Sequence, residues 1–263
     1  MTGWVDLATE LELWRAAGRR ATFWWRDDDA VTATPALARL LALSDAHGIP
    51  LALAVIPAAA TAALAEMVAT RALVVPIQHG YAHRSHAAPG SKTGELAPTR
   101  PREINLAELA EGWRRLRHLF GNAAAAILAP PWNRIDPALI SSLPGLGFRG
   151  LSTYGARKRK EPVTGLIEVN THLDIVDWRG GRGFVGESKA LAQLVDHLRA
   201  RRRGIVDGAE PSGLLTHHLV HDEACWAFLD ALFAATRRSA AAAWLDPRDI
   251  FATAAPVATE AAS

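Results

Sequence analysis

Leu73-Val74-Val75-Pro76-Ile77-Gln78-His79-Gly80-Tyr81-Ala82-His83 decides how this chain is read. Residues 73–78 have the length and apolar content of a strand, and they pass without a break into two histidines four residues apart. Two histidines at that spacing face the same way on a helical turn. A Glu directly after the first would then act as base in a zinc-protease helix. Gly80 stands in that place and breaks helices, so a base and a third ligand must come from elsewhere in the chain. Alone, such a pair is more often made of ordinary surface or core residues than of metal ligands.

Working outward, short apolar runs that end in polar residues recur. Residues 21–25 read as a strand leading into Arg26-Asp27-Asp28-Asp29, and residues 51–56 as another, stopped by Pro57. Residues 123–129, 150–153, 166–170, 213–216 and 241–245 read as further strands. Helical patterns lie between them. Thr34 and Pro35 open one that His47-Gly48 closes, and residues 61–70 form a shorter one. Asn105 and Glu108 resemble a capping pair ahead of Leu106, Leu109, Trp113, Leu116 and Phe120. Ser188 begins a helix that ends in the basic residues 199–203, and Asp222 caps one carrying Trp226, Leu229, Leu232 and Phe233. Residues 84–105 show no period and read as a functional or disordered loop. Strands alternating with helices predict an α/β fold with a parallel sheet covered by helices. The expectation is a single distorted (β/α) barrel of about seven strands over residues 1–263, its core at about 20–250 and a short frayed tail at 252–263.

Composition excludes several function classes. A chain of 263 residues can bury a full core, and 49% apolar with 21% charged residues is ordinary for a globular protein. A net charge of +2 is too small to argue for a nucleic-acid partner. No uninterrupted apolar run approaches a membrane span. The single cysteine, Cys225, excludes an intrachain disulfide, and the N-terminus lacks the basic and apolar regions of a signal peptide. A cytoplasmic location is expected; the oligomeric state is left open.

Three successive carboxylates, Asp27, Asp28 and Asp29, repel one another, and behind Thr22-Phe23-Trp24-Trp25 they need a cation or donors. A divalent metal and Arg26 can meet that need together, one carboxylate ligating while another stays free as a base. Later segments also follow strands. Ala129-Pro130-Pro131-Trp132-Asn133 offers a rigid wall with an aromatic face, and Asp174-Ile175-Val176-Asp177-Trp178 sets acids beside an indole. Both also read as ordinary turns. In Thr216-His217-His218 the first histidine can protonate a leaving group, and the second points the opposite way if the strand continues. His221, four residues from His217, makes a second metal site conceivable, with an Asp222 helix cap as the simpler reading. His86 and His172 read as polar surface residues.

In this order the motifs resemble those of the polysaccharide deacetylase family, the NodB-homology carbohydrate esterases of family 4. The likeness is to the divergent branch whose second motif is His-Gly-Tyr-x-His, and it runs over residues 23–226. It implies the distorted barrel of glycoside hydrolase and deacetylase type. The family's first motif falls on Asp28 as general base and Asp29 as metal ligand, with an Asp27–Asp28 register also open. His79 and His83 complete the implied metal set, and His217 is the implied catalytic acid. Arg26, Tyr81, Pro131, Trp132, Asn133, Asp177, Trp178 and His218 are placed around the substrate, and a backbone N–H near Tyr81 or Trp132 is expected to serve the oxyanion. The third motif lacks its usual Arg, Ala129 standing there, and Arg26 is a candidate to take over that role. The implied metal is zinc, with cobalt, nickel or manganese as alternatives. The implied activity removes N-acetyl groups from an amino sugar or polysaccharide, so an N-acetylated carbohydrate is the expected partner. A catalytically impaired glycan-binding or regulatory barrel, and an amidohydrolase acting on a small non-sugar amide, are the alternatives.

Overall fold

Trp24 and Phe251 mark the axis of the fold. In the computed structural model, which describes residues 1–252, their rings meet edge to face at 5.5 Å inside a ring of parallel strands. The expected tail, apart from Ala252, lies outside the described residues. The strands are β1 (Ala21–Ala30), β2 (Leu51–Val55), β3 (Val74–His79), β4 (Ile127–Ala129), β5 (Gly150–Leu151), β6 (Ile167–Glu168), β7 (Leu173–Asp174), β8 (Ser212–Thr216) and β9 (Ala242–Trp244). Their order is β6-β5-β4-β3-β2-β1-β8-β7, every pairing parallel, with β9 alongside the start of β1.

The two ends of that order belong to one extended run of chain. The N–H groups of Val169 and Thr171 donate to the carbonyls of Leu151 and Thr153, and the N–H of His172 then donates to Gly213. One stave therefore leaves β5 and joins β8, and the ring closes with seven staves, in line with the expected barrel of about seven strands; the last expected run, residues 241–245, forms β9 beside β1 and adds no stave. Gly213 is needed where they meet, because a Cβ there would lie 2.5 Å from the Asn170 carbonyl and from the Trp24 indole nitrogen.

Period-two alternation sorts β1 into two layers. Trp24 faces the barrel interior with Ala52, Ala54, Val75, Ile77, Ala129 and Val169, whose small or β-branched side chains leave room for the indole. Phe23 and Trp25 face outward and pack under the helices. Burying about 200 Å² of each indole is worth roughly 5 kcal/mol at about 25 cal/mol per Å².

The helical layer comprises α1 (Trp4–Ala16), α2 (Pro35–His47), α3 (Ala62–Val68), α4 (Arg102–Phe120), α5 (Pro137–Ile140), α6 (Glu187–Arg202), α7 (Glu223–Arg238) and α8 (Pro247–Ile250). Thr34 and Asp222 cap α2 and α7 through the N–H groups of Leu37 and Cys225. Two differences from the sequence reading have local causes. Helix α1 carries no strong apolar signal because Glu10 sits on its buried side, neutralised by Arg202 at 2.7 Å. Helix α4 starts at Arg102 rather than at Asn105: Glu108 pairs with Arg100 at 2.5 Å instead of closing a capping box, and Asn105 lies buried inside the helix. No helix among the described residues is long and apolar enough to cross a membrane.

Candidate metal centre

The site begins with an irregularity in β1. Arg26 and Asp27 pair with Ala52 and Leu53 in order, but Ala30 pairs with Val55, so β1 carries one residue more than β2 over this stretch. Asp29 occupies the bulge with φ +73°. Strict alternation would turn Asp28 and Asp29 to opposite faces; the extra residue lets both look into the barrel mouth. Asp27 goes the other way. Its carboxylate accepts from Thr216 Oγ1 at 2.6 Å and from the His218 N–H at 3.0 Å, and its other oxygen lies 2.5 Å from His218 Nδ1. Asp27 and His218 are both buried behind the strand ends, so neither is brought to the groove. Among these carboxylates, geometry pairs Asp28 and Asp29 with the histidines.

Asp29 Oδ1 stands 3.2 Å from His79 Nε2 and 3.3 Å from His83 Nε2. The three side chains form one cluster of mutually close donor atoms. His79 sits at the end of β3 with Nδ1 2.9 Å from the Ala129 carbonyl oxygen. A carbonyl only accepts, so Nδ1 carries a proton and Nε2 is the nitrogen that faces Asp29. Asp29 Oδ1 is buried and finds no hydrogen-bond donor. Burial pushes the Asp29 carboxyl up, but its contact with His79 and the charges of His79, His217 and His83 hold it well below the usual range. Burial pulls the His79 ring down, yet Asp28 and Asp29 raise it; His83, with less support, stays below its ordinary value. Two imidazole nitrogens and one undonated carboxylate oxygen are a donor set that suits zinc or a neighbouring transition metal.

The turn between the histidines is held by a residue the sequence reading missed. Glu95, fully buried, accepts from the Tyr81 N–H at 2.9 Å and the Ala82 N–H at 2.7 Å. Gly80 has φ +55°, and a Cβ on it would sit 1.9 Å from Glu95 Oε2 and 2.5 Å from Pro131. Only glycine passes between the two. Glu95 comes from the aperiodic loop, which is anchored by a bridge between Leu96 and Ile135. The run Glu95-Leu96-Ala97 carries no mark in the sequence that sets it apart from the rest of the loop; its burial is decided by the fold. Since the Tyr81 N–H is taken by Glu95, it does not face the site as an oxyanion donor.

On the other side of the cluster, His217 Nε2 lies 3.9 Å from Asp28 Oδ2, and its ring meets Trp178 edge-on at 4.6 Å. Trp178 is 43% exposed, a large aromatic face left open beside this histidine. Its indole N–H donates to Asp174 at 2.8 Å, and burial raises the Asp174 carboxyl. Asp177 instead closes its own turn through the N–H groups of Arg179 and Gly180. Trp132 packs against His83 with ring centroids 4.3 Å apart and the planes tilted by 44°, across a turn in which Trp132 and Asn133 have φ +56° and +57°. Pro131 is buried within that turn, and Tyr81 lines a shallow hollow against α4. Arg26 is wholly buried with its donors engaged by the protein, so it does not reach a substrate. His221 Nε2 accepts from the His217 N–H at 3.3 Å and joins no metal cluster among the described residues. His172 is buried at the base of the closing stave, not on the surface.

No protein-family model and no curated protein matches the chain. Solved structures do. The chain is similar to a protein described as a polysaccharide deacetylase from Mycobacterium smegmatis, at 17% identity and a TM-score of 0.60, over 89% of this chain and 90% of that one. It is similar to the Bc1960 peptidoglycan N-acetylglucosamine deacetylase at 16% identity and a TM-score of 0.56, over 88% of each chain. A family 4 acetyl xylan esterase from Clostridium thermocellum, solved with a cobalt ion, aligns at 14% identity and a TM-score of 0.50, over 88% of this chain and 90% of that one. At such identities the likeness establishes the fold. It is the (β/α) barrel shared by polysaccharide deacetylases, the class that the ordered motifs resemble.

Proposed function

We propose that this protein is a metal-dependent hydrolase that removes the acetyl group from an N-acetylated amino sugar or polysaccharide. The observation that carries the reading is the meeting of Asp29, His79 and His83 at the barrel mouth, with Asp28 and His217 on one side of them and 3.9 Å apart. Asp29 Oδ1 and the two Nε2 atoms would hold a divalent ion, zinc before cobalt, nickel or manganese. Such an ion supplies a Lewis acid that polarises the acetyl carbonyl and acidifies water. Asp28 takes a proton from the attacking water, and His217 gives one to the departing amine nitrogen. Two separate groups are needed because the base must start ionised and the acid must start protonated. The exposed Trp178 and the Trp132 wall offer apolar faces against which pyranose rings can lie.

The polysaccharide and peptidoglycan substrates named for the structural neighbours support a carbohydrate over a small non-sugar amide. The test is metal content and acetate release together, on N-acetylglucosamine oligomers and on linear and cyclic amides. One ion per chain and acetate from the sugars are expected. A metal-free protein, inert on every substrate, would overturn the reading.

A further inference from the structure

Arg26 points into the barrel between Trp24 and the mouth, and its side chain is fully buried. All five of its N–H donors are placed. Nε and Nη2 grip Asp28 Oδ1 and Oδ2 at 2.9 and 3.0 Å. Nη1 donates to the carbonyl and hydroxyl oxygens of Ser152 at 3.0 and 2.7 Å, and Nη2 reaches Asn133 Oδ1 at 2.5 Å. A buried cation without this coverage would be costly. The coverage is also more than neutralisation requires. A planar guanidinium bound through both carboxylate oxygens fixes the rotation of that carboxylate as well as its place, which a lysine cannot do.

The two anchors come from different strand ends. Ser152 follows β5, and Asn133 lies in the left-handed turn after β4 that also lays Trp132 on His83. Backbone held in that region by a bulky residue persists only where its surroundings over-determine it. The contact between Asn133 and Arg26 is one such surrounding.

We propose that Arg26 is the positioning residue of the site, with Ser152 and Asn133 as its anchors: it sets the rotation of the Asp28 carboxylate so that Oδ2 faces His217. This rests on the reading of Asp28 as the base. It also links that base to the turn bearing the Trp132 wall, so the two move as one unit.

The test uses the metal-loaded protein and five variants, one of them double. Arg26→Met should keep its metal and its KM within about twofold while kcat falls about 100-fold, the size of effect that a misplaced catalytic group produces. Arg26→Lys should lose about tenfold, and Asn133→Gly, which suits the left-handed backbone, about threefold. In the Asp28→Asn background, Arg26→Met should cost nothing further. A crystal structure of Arg26→Lys should show the Asp28 carboxylate rotated away from His217. The proposal fails if Arg26→Met and Arg26→Lys both turn over within twofold of wild type, if Arg26→Met lowers kcat again in the Asp28→Asn background, or if the carboxylate has not moved. Should Arg26→Met not fold, Arg26→Lys and Asn133→Gly still decide. A wild type inert on all acetylated donors sinks the hydrolase reading, while the carboxylate's rotation still answers for Arg26.

Discussion

Among the described residues the barrel holds two clusters of two histidines and one carboxylate, one at its mouth and one near its floor, and the lone pairs left free favour the first as a metal site. At the mouth, Asp29, His79 and His83 lie together; at the floor, His172, His197 and Glu210 do. Their compositions are nearly the same. Their hydrogen bonds are opposite. His79 donates from Nδ1 to a carbonyl and turns Nε2 to the cluster, whereas His172 Nδ1 accepts the Gly213 N–H at 3.0 Å, which puts the ring proton on Nε2. Asp29 Oδ1 has no donor, whereas both Glu210 oxygens accept backbone N–H groups, from Arg157 and Asn170, at 2.9 Å. The floor rings stack at 3.5 Å and 14°, so their in-plane nitrogens run side by side and do not aim at a common point. Arg201 lies close by as well, bonded to Ser212, the partner of His197. The floor cluster ties the closing stave to β8. Ligand chemistry thus depends less on which residues meet than on which lone pairs are left over.

Removing a histidine from each cluster should separate them most sharply. His79→Ala should lose bound metal and at least about 1,000-fold in turnover, while His172→Ala should keep its metal, by elemental analysis and acetate release. Added zinc should raise the melting temperature of His172→Ala and leave that of His79→Ala unchanged, since only a bound ion stabilises the native state. Equal zinc responses would erase the distinction. At the mouth itself, Asp28→Asn should retain metal and lose about 100- to 10,000-fold in kcat, the usual weight of a general base. Gly80→Ala should cost the mouth its shape, destabilising the protein by about 2–4 kcal/mol in urea titrations, because the new methyl meets Glu95 and Pro131.

The floor predicts a pH effect of its own. Burial pushes the His197 ring down to about 2, with the charges of His172 and Arg201 adding to it, and His172 is lowered for the same first reason. Below about pH 6.5 the unfolded chain takes up protons that the folded floor refuses, so stability should fall as pH drops through that value. The slope is on the order of 1 kcal/mol per pH unit for each histidine. His197→Gln should flatten it between pH 7 and 5, as read by urea midpoints, and an unchanged slope would remove His197 from the account. The smallest effect is expected at the rim, where Trp178→Ala should raise KM for oligosaccharides a few-fold and leave metal content alone.

Much of this was legible in the chain order. The strand that runs into His79, the Asp cluster behind Trp24 and Trp25, and the Thr34 and Asp222 caps depend on neighbours in sequence, and each lies where local pattern puts it. Glu95 was not legible, because its partners Tyr81 and Ala82 are reached only through the folding of an aperiodic loop. Nor was α1, whose buried Glu10 depends on Arg202 far along the chain. His172 carries no local mark to distinguish a surface ring from a buried one; Gly213 and Glu210 decide that.

By itself the sequence determined the alternation of about seven strands with helices, the spacing of the histidine pair and the presence of three successive acids, since periodicity and turn chemistry are local properties. Only the tertiary structure decided what those acids do. Alternation along β1 sends Asp27 to His218 and Asp28 to Arg26, and one extra residue in the strand turns Asp29 to His79 and His83. Three identical side chains in a row become distinct because register, burial and the remaining lone pairs are set by strands far away in the chain.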